Sequence, residues 1–243
     1  MNYITLGRKK NPTILFLHGW GGSISSWGDL PKKLAGVGFY CVVIDFTGFG
    51  LSAKPTKVYG VGDYALEVKE LLNELKIKKV NIIAHSFGGR VAIKLASETE
   101  IANKLVLVDS AGLSPRKSLL VKLKIMRYKH LKKKADKGKI EKSKLERFGS
   151  ADYKALSGIE RECFKKIISE DLSGFAKHIK VPTLIVWGKK DKDTPLYMAR
   201  RLHKLIDGSS LFLLDAGHFS YLDKPYEFTS EVYDFLLVGG NYE

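Results

Sequence analysis

Three side chains that could together carry out nucleophilic catalysis follow three separate apolar runs of the chain. Ser86, Asp191 and His218 each come within a few residues of the end of such a run. A serine hydroxyl is a weak nucleophile, so it needs a base within hydrogen-bond reach, and that base needs a third group to orient it. We therefore predict that Ser86 attacks a substrate, that His218 takes its proton, and that Asp191 orients His218.

The stretch around Ser86 has the pattern of a sharp turn between a strand and a helix. An apolar run stops at His85, and a helix-period run begins at Val91. The pattern G-x-S-x-G is typical of such a turn, because the strand and helix backbones approach closely there. Gly88 is in place, whereas Ala84 replaces the first glycine. We predict that this turn exposes the serine hydroxyl above a sheet edge; the alternative is an ordinary Ser-Gly turn.

Other residues compete for the acid and base roles. Asp193 is the main alternative to Asp191 as the acid, and Asp109 is a more distant one. Among the six histidines, His218 alone follows a strand-like run in a Gly-His turn. The other histidines precede a glycine-rich stretch, adjoin the serine or lie in helical patterns: His18, His85, His130, His178 and His203.

Attack on an ester carbonyl places negative charge on the carbonyl oxygen, and backbone N–H groups must already point there. One such donor is worth roughly 2.7–4 kcal/mol. We predict that the N–H groups of Phe87, directly after the nucleophile, and of Trp20, in the glycine-rich stretch after His18, form this oxyanion hole. A tight loop permitted by its glycines is a compatible interpretation of that stretch. The chemistry requires no metal and no organic cofactor.

The elements that must position these residues are short apolar runs that alternate with helical patterns. Near-continuous apolar runs of four to six residues are typical of parallel strands covered on both faces. The alternation predicts a doubly wound, mostly parallel α/β sheet, in which ligands bind beyond the carboxyl ends of the strands. The predicted strands are Thr13–Leu17, Tyr40–Ile44, Val80–Ala84, Leu105–Val108, Thr183–Trp187 and Leu211–Leu214. Helices are predicted near Trp27–Ala35, Gly62–Leu75, Phe87–Ser97, Leu196–Leu205 and Pro225–Leu237.

The alternation stops over residues 113–178, which hold helical patterns but no strand-like run. We therefore predict one α/β core, residues 1–112 and 179–243, with residues 113–178 inserted between two strands as a helical lid. Several apolar residues of the insertion fall on one helical face, which we interpret as packing down on an acyl pocket. They are Leu119, Leu120, Leu123, Met126 and Leu131.

The composition of the 243-residue chain is that of an ordinary globular protein, with 44% hydrophobic residues. No apolar run approaches the roughly 18 residues that a membrane span needs, and the first residues lack the pattern of a signal peptide. Cys41 and Cys163 lie far apart, and we expect no disulfide between them. These features lead us to expect a cytoplasmic protein.

The net charge of +15 is concentrated in the predicted lid. The segment 113–180 contains 20 Lys and Arg against 8 Asp and Glu, a net charge of +12. A basic amphipathic helix can bind a membrane surface, but we favour a lid helix whose lysines face water. We expect no nucleic-acid partner, because no basic patch interleaved with aromatic residues occurs. The expected partner is a small-molecule ester. The sequence does not indicate whether the protein is a monomer or an oligomer.

With these motifs in order, the chain resembles the α/β-hydrolase superfamily over nearly its whole length, as a lid-bearing serine hydrolase of the carboxylesterase type. The motifs are His18-Gly19-Trp20-Gly21-Gly22 with Trp27, Asp45-x-x-Gly48-x-Gly50-x-Ser52, Ala84-His85-Ser86-Phe87-Gly88-Gly89, Trp187-Gly188-Lys189-Lys190-Asp191 with Pro195, and Gly217-His218 with Pro225. The resemblance implies the order serine, acid, histidine along the chain. It also implies that the motif from Asp45 to Ser52 is a structural turn, to which we assign no catalytic role. Family members usually begin with a β-hairpin, of which at most one strand, near Tyr3–Leu6, is expected here.

Departures from related groups narrow the function. Dehalogenases of this superfamily use an aspartate where this chain has Ser86, and proline iminopeptidases tend to have Trp in place of Phe87. Ring-cleavage C–C hydrolases tend to have Asn and Trp where His85 and Phe219 stand. We predict a serine hydrolase that cleaves a small to medium carboxylic ester through an acyl-enzyme. Amide, thioester and C–C substrates stay open, as does a non-catalytic ligand receptor on the same fold.

Overall fold

The computed structural model describes residues 1–115, 119–141, 153 and 155–237. Its strands are β1 (Asn2–Leu6), β2 (Thr13–Leu17), β3 (Tyr40–Asp45), β4 (Val80–His85), β5 (Ala102–Val108), β6 (Thr183–Gly188) and β7 (Ser210–Leu214). They form one sheet in the order β1-β3-β2-β4-β5-β6-β7. Only the edge strand β1 is antiparallel, paired with β3, and all other pairs are parallel. The six predicted strands and the single short strand before them are confirmed.

The helices of the described residues connect these strands. They are α1 (Leu30–Gly36), α2 (Val61–Glu74), α3 (Phe87–Glu98), α4 (Leu119–Asp136), α5 (Gly158–Ser169), α6 (Ser173–Ala176), α7 (Tyr197–Leu205), α8 (Ser220–Asp223) and α9 (Pro225–Leu237). The first helix begins three residues later than predicted, because Trp27 ends a short 3₁₀ turn and Gly28 then adopts a positive φ of 53°. Pro31 follows in the first turn of α1, where its missing N–H costs nothing. None of these helices is long and apolar enough to cross a membrane.

Each face of the sheet packs against its own set of helices, because side chains alternate between the two faces of a strand. Leu15 and Ile82 belong to one buried cluster, together with residues of α2, α3, α5, α6 and α7. Phe16 and Ile83, their chain neighbours, belong to a second cluster with residues of α1, α8 and α9. Helices thus cover both faces, and the predicted doubly wound sheet is confirmed.

The inserted residues 113–178 contain α4, α5 and α6 and, in their described part, no strand. Helix α5 is fixed to the core: Cys163 and Ile167 are buried, and the Cys163 sulfur accepts the backbone N–H of Tyr59 at 3.1 Å. Helix α4 differs, because Leu123 and Met126 are 59% and 66% exposed. The prediction that these two side chains pack down on a pocket is therefore wrong, and the side chains of Leu119 and Leu120, which it also included, lie outside the described part of the chain. Both cysteines are free, as expected.

Candidate active site

Ser86 lies between β4 and α3 in a conformation that only a tight turn enforces. Its φ is +48°, a region that L residues rarely adopt and that concentrates at functional sites. The space around the turn admits only small residues: a Cβ on Gly88 would lie 2.0 Å from the carbonyl oxygen of Leu17. A Cβ on Gly89 would lie 1.9 Å from the Ser110 hydroxyl. The strand, the turn and the helix predicted around Ser86 are all present.

The structure brings the three predicted residues into one hydrogen-bonded chain. His218 Nε2 lies 3.0 Å from Ser86 Oγ, and His218 Nδ1 lies 2.8 Å from Asp191 Oδ2. The imidazole therefore has its Nδ1–H directed at the carboxylate and its free Nε2 lone pair directed at the serine hydroxyl. This is the tautomer in which a histidine can take a proton from serine.

The carboxylate of Asp191 is fully buried and bound on both of its oxygens. Oδ1 accepts the backbone N–H groups of Asp193 and Thr194 at 2.8 and 2.9 Å. Oδ2 accepts the hydroxyl of Thr194 at 2.7 Å in addition to His218. Burial alone would raise the pKa of Asp191, but the hydrogen bonds from His218 and Thr194 outweigh it and hold the pKa below its usual value. The acid is therefore ionised and fixed in place.

The other acids do not take that position. Asp193 is exposed, and its backbone rather than its carboxylate contacts Asp191. Ligand atoms of Asp191, Asp193 and His218 lie within 4.8 Å of one another, but the hydrogen bond between Asp191 and His218 already uses two of these groups. Asp109 is buried, and burial raises the pKa of its carboxyl to about 7.

Burial and the acid act in opposite directions on the histidine. Burial alone would lower the pKa of His218, but the hydrogen bond and the negative charge of Asp191 outweigh it and raise the pKa above its usual value. His218 is thus a stronger base than a free imidazole, and its protonated form is stabilised.

His85 and His18 have structural contacts instead. The Nε2–H of His85 donates to the backbone carbonyl of His218 at 2.8 Å, which supports the loop that holds this residue. Burial lowers the pKa of His85 to about 3, so its ring is neutral. His18 accepts the backbone N–H of Phe46 on Nε2 at 3.1 Å, and its Nδ1–H donates to the carbonyl of Gly19 at 2.7 Å. Both rings therefore hold backbone around the site.

The glycine-rich stretch lies directly beside the serine. A Cβ on Gly19 would lie 3.4 Å from the Ser86 Cβ and 2.8 Å from His85 Nδ1, so glycine is needed for this approach. Neither the Trp20 nor the Phe87 backbone N–H donates to a protein acceptor within the described part of the chain. The Phe87 N–H belongs to the first turn of α3, where such groups have no partner within the helix.

Aromatic rings cover one side of this site. The Trp20 ring contacts Phe49, Phe87 and Phe164 in edge-to-face geometry, with ring centroids 4.9, 5.5 and 4.9 Å away. These residues come from four separate segments, and Phe164 lies on α5 of the insertion. We call Trp20, Phe49, Phe87 and Phe164 the aromatic wall. Trp20, Phe49 and Phe164 are partly exposed, whereas the Phe87 ring is buried in the core, so the first three form the accessible part of the wall.

Sequence reasoning missed the contributions of Thr194, Asp109 and Phe164. The spacing Asp-x-x-Thr from Asp191 to Thr194 is a local signal that could have identified the first, because aspartate side chains often bind backbone N–H groups two or three residues later. The contributions of Asp109 and Phe164 depend on which loops and helices come together in the folded chain.

Comparison with known proteins agrees with this architecture. The family model for the alpha/beta hydrolase fold matches residues 12–134, half of the chain. An AB hydrolase superfamily protein of Bacillus subtilis is 26% identical over 91% of this chain and 90% of its own length.

Two solved structures have the same fold. An enol-lactonase from Burkholderia xenovorans superimposes with a TM-score of 0.75, at 24% identity over 97% of this chain and 95% of its own. An esterase from Exiguobacterium antarcticum also gives 0.75, at 22% identity over 96% and 94%. On the family match and the sheet described above, the chain belongs to the alpha/beta hydrolase fold family.

Proposed function

We propose that this protein is a serine hydrolase that cleaves a carboxylic ester through an acyl-enzyme intermediate. One observation carries the proposal: the hydrogen-bonded chain Ser86–His218–Asp191, with distances of 3.0 and 2.8 Å. The tautomer and the bound carboxylate are those that activate a serine hydroxyl at neutral pH.

In the proposed reaction, Ser86 Oγ attacks the ester carbonyl carbon while His218 Nε2 takes the hydroxyl proton. The carbonyl oxygen becomes an oxyanion, which accepts the unpartnered N–H groups of Trp20 and Phe87. His218 then gives the proton to the departing alcohol oxygen, and the acyl group stays on Ser86. A water molecule repeats the sequence with the same base and releases the carboxylic acid. Asp191 stabilises the imidazolium in both halves and keeps its own charge.

The surroundings favour an apolar acyl group. The aromatic wall includes the residues of both proposed oxyanion donors, and its partly exposed members Trp20, Phe49 and Phe164 offer rings rather than charges to the substrate. Because Phe164 comes from the insertion, we propose that residues 113–178 act as a lid that bounds the acyl side of the site. An esterase and an enol-lactonase, whose names both denote ester-type substrates, share the fold.

The test combines active-site labelling with a substrate series. The wild type should react with a fluorophosphonate probe and hydrolyse p-nitrophenyl esters, whereas Ser86→Ala should do neither, losing at least about 10⁴-fold in kcat. Ser25→Ala, at an exposed serine, is the matched control and should keep both activities. A wild type that neither labels nor hydrolyses any ester would contradict the proposal, as would Ser86→Ala that labels normally.

A further inference from the structure

Asp109 is a buried carboxylate that the proposed reaction does not use. It directly follows β5 and is fully buried, with a positive φ of 44°. Its backbone N–H donates to the carbonyl of Val186 at 3.0 Å, so the residue is fixed at the end of the sheet. A buried carboxylate is costly unless hydrogen bonds compensate for the lost water. Its partners therefore indicate what it does.

Each oxygen of Asp109 binds one of the two loops that carry the proposed acid and base. Oδ1 accepts the backbone N–H of Gly188 at 2.7 Å, and Gly188 ends β6 directly before the loop that leads to Asp191. Oδ2 accepts the backbone N–H of Ser220 at 3.0 Å, two residues after His218. Among the hydrogen bonds of the described residues, no Lys or Arg donates to this carboxylate.

A third contact ties the same residue to the proposed acid. The hydroxyl of Thr194 lies 3.0 Å from the backbone carbonyl of Asp109 and 2.7 Å from Asp191 Oδ2. The two loops also touch each other, because a Cβ on Gly188 would lie 2.0 Å from the carbonyl oxygen of Gly217. Asp109 thus lies where the two loops meet and holds both.

We propose that Asp109 is a positioning residue. Its two carboxylate oxygens fix the loop that carries His218 against the loop that carries Asp191, and so align His218 between Asp191 and Ser86. This inference rests on the proposed function, because it assigns Asp109 to the alignment of the same three residues. The two N–H groups need two acceptor oxygens at a fixed spacing, which an aspartate supplies and an asparagine does not.

The test is Asp109→Asn, which keeps the shape of the side chain but leaves one N–H facing an amide NH₂. One of the two loops should then shift. We expect kcat for p-nitrophenyl esters to fall roughly tenfold to a hundredfold, because small misplacements of reacting groups have effects of that size. KM should stay within about twofold of the wild type. The rate of fluorophosphonate labelling should fall in parallel with kcat.

A spectroscopic readout separates alignment from general damage. We expect the Nδ1–H proton that His218 donates to Asp191 to give a far-downfield ¹H NMR resonance, which Asp109→Asn should shift or broaden. Asp45→Asn is the matched control: Asp45 is also a buried carboxylate at a strand end, and it accepts the N–H groups of Ile24 and Leu51 at 2.7 and 2.9 Å. It should lower the melting temperature and leave the downfield resonance and the labelling rate unchanged.

The outcomes are distinct. A downfield resonance at its wild-type position in Asp109→Asn, with labelling within about twofold of the wild type, would overturn the inference. Equal losses in the Asp45 and Asp109 variants would also overturn it, since both would then reflect lost stability. If Asp109→Asn does not fold by circular dichroism, Asp109→Ser, which retains one acceptor oxygen, is used with the same expectations. If the wild type neither labels nor hydrolyses esters, the proposed function fails, and the NMR resonance still tests the alignment.

Discussion

At the scale of single residues, the proposed chemistry depends on the competition between burial and charge at His218. Asp191 outweighs burial and raises the pKa of His218, because the Asp191 carboxylate is itself ionised and bound by Thr194. The three predicted residues could be found from sequence because each comes at the end of a strand-like run, and parallel strands place their carboxyl ends along one edge. Thr194 has a local signal in its spacing from Asp191, whereas the role of Asp109, which also follows a strand-like run, depends on hydrogen bonds to loops distant in the chain.

The raised pKa of His218 predicts the pH dependence of the reaction. Only the neutral imidazole can take the serine proton, so kcat/KM should fall as the pH falls through the pKa of this residue. Because that pKa lies above its ordinary value of about 6.5, the midpoint of the acid limb should also lie above about 6.5. Circular dichroism over the same range serves as the control for unfolding. A midpoint clearly below the ordinary histidine pKa would contradict the conclusion that Asp191 outweighs burial in setting the pKa of His218.

At the scale of elements, the turn between β4 and α3 imposes the strictest requirement on residue size. It combines the positive φ of Ser86 with the close approach of Gly88 to β2. The first glycine of the usual pattern is Ala84 here, a buried residue of β4, so a methyl group is tolerated before the serine and excluded after it. The turn at Ser86 therefore depends on the small size of Gly88 more than on that of Ala84.

Gly88→Ala should destabilise the protein by about 3 kcal/mol or more, because its Cβ would overlap the Leu17 carbonyl oxygen. Gly62→Ala is a close control: Gly62 is likewise the second residue of its helix, and its Cβ would meet only the Lys94 side chain at 3.8 Å. That change should be neutral or stabilise by about 0.4–1 kcal/mol. Urea unfolding measures both, and equal stabilities of the two variants would contradict the close approach.

Helix α5 places Phe164 at a fixed position on the aromatic wall. Phe164→Ala should open the acyl side, so kcat/KM for the longest p-nitrophenyl esters should rise about tenfold relative to the shortest. Ile168→Ala, on the same helix but 48% exposed, should leave the chain-length profile unchanged. An unaltered profile in Phe164→Ala would remove this residue from the proposed acyl boundary.

At the scale of the whole molecule, the sheet was predictable and the insertion was predictable only in part. Continuous apolar runs identified the parallel strands, whereas the start of β5 was missed because it contains a lysine. Lys104 is buried there, and its ammonium group donates to the carbonyls of Phe235 and Leu236 at 2.9 and 2.7 Å, near the end of α9. A charge can be buried at that position because helix C-terminal carbonyls attract cations.

The orientation of α4 shows what helical periodicity cannot supply. Five of its apolar residues share one face by periodicity, yet seven of its 18 residues are Lys or Arg, and two of those five, Leu123 and Met126, face solvent. Periodicity places residues on a common helix face, but it does not indicate whether that face packs against the rest of the protein or faces solvent. The docking of α5, which rests on Cys163 and on Phe164 against Trp20, likewise depends on contacts between distant segments.

The insertion leaves and re-enters the sheet between two adjacent parallel strands. Val108 and Val186 are paired neighbours, so the register of β5 and β6 is set within the sheet whatever lies between them in the chain. Parallel neighbours always require a long crossover, and here that crossover also supplies Phe164. If residues 113–178 bound the acyl side as proposed, an exchange of this one segment would change the selectivity of the site while Ser86, Asp191 and His218 keep their positions, so substrate preference would be separable from the catalytic chemistry.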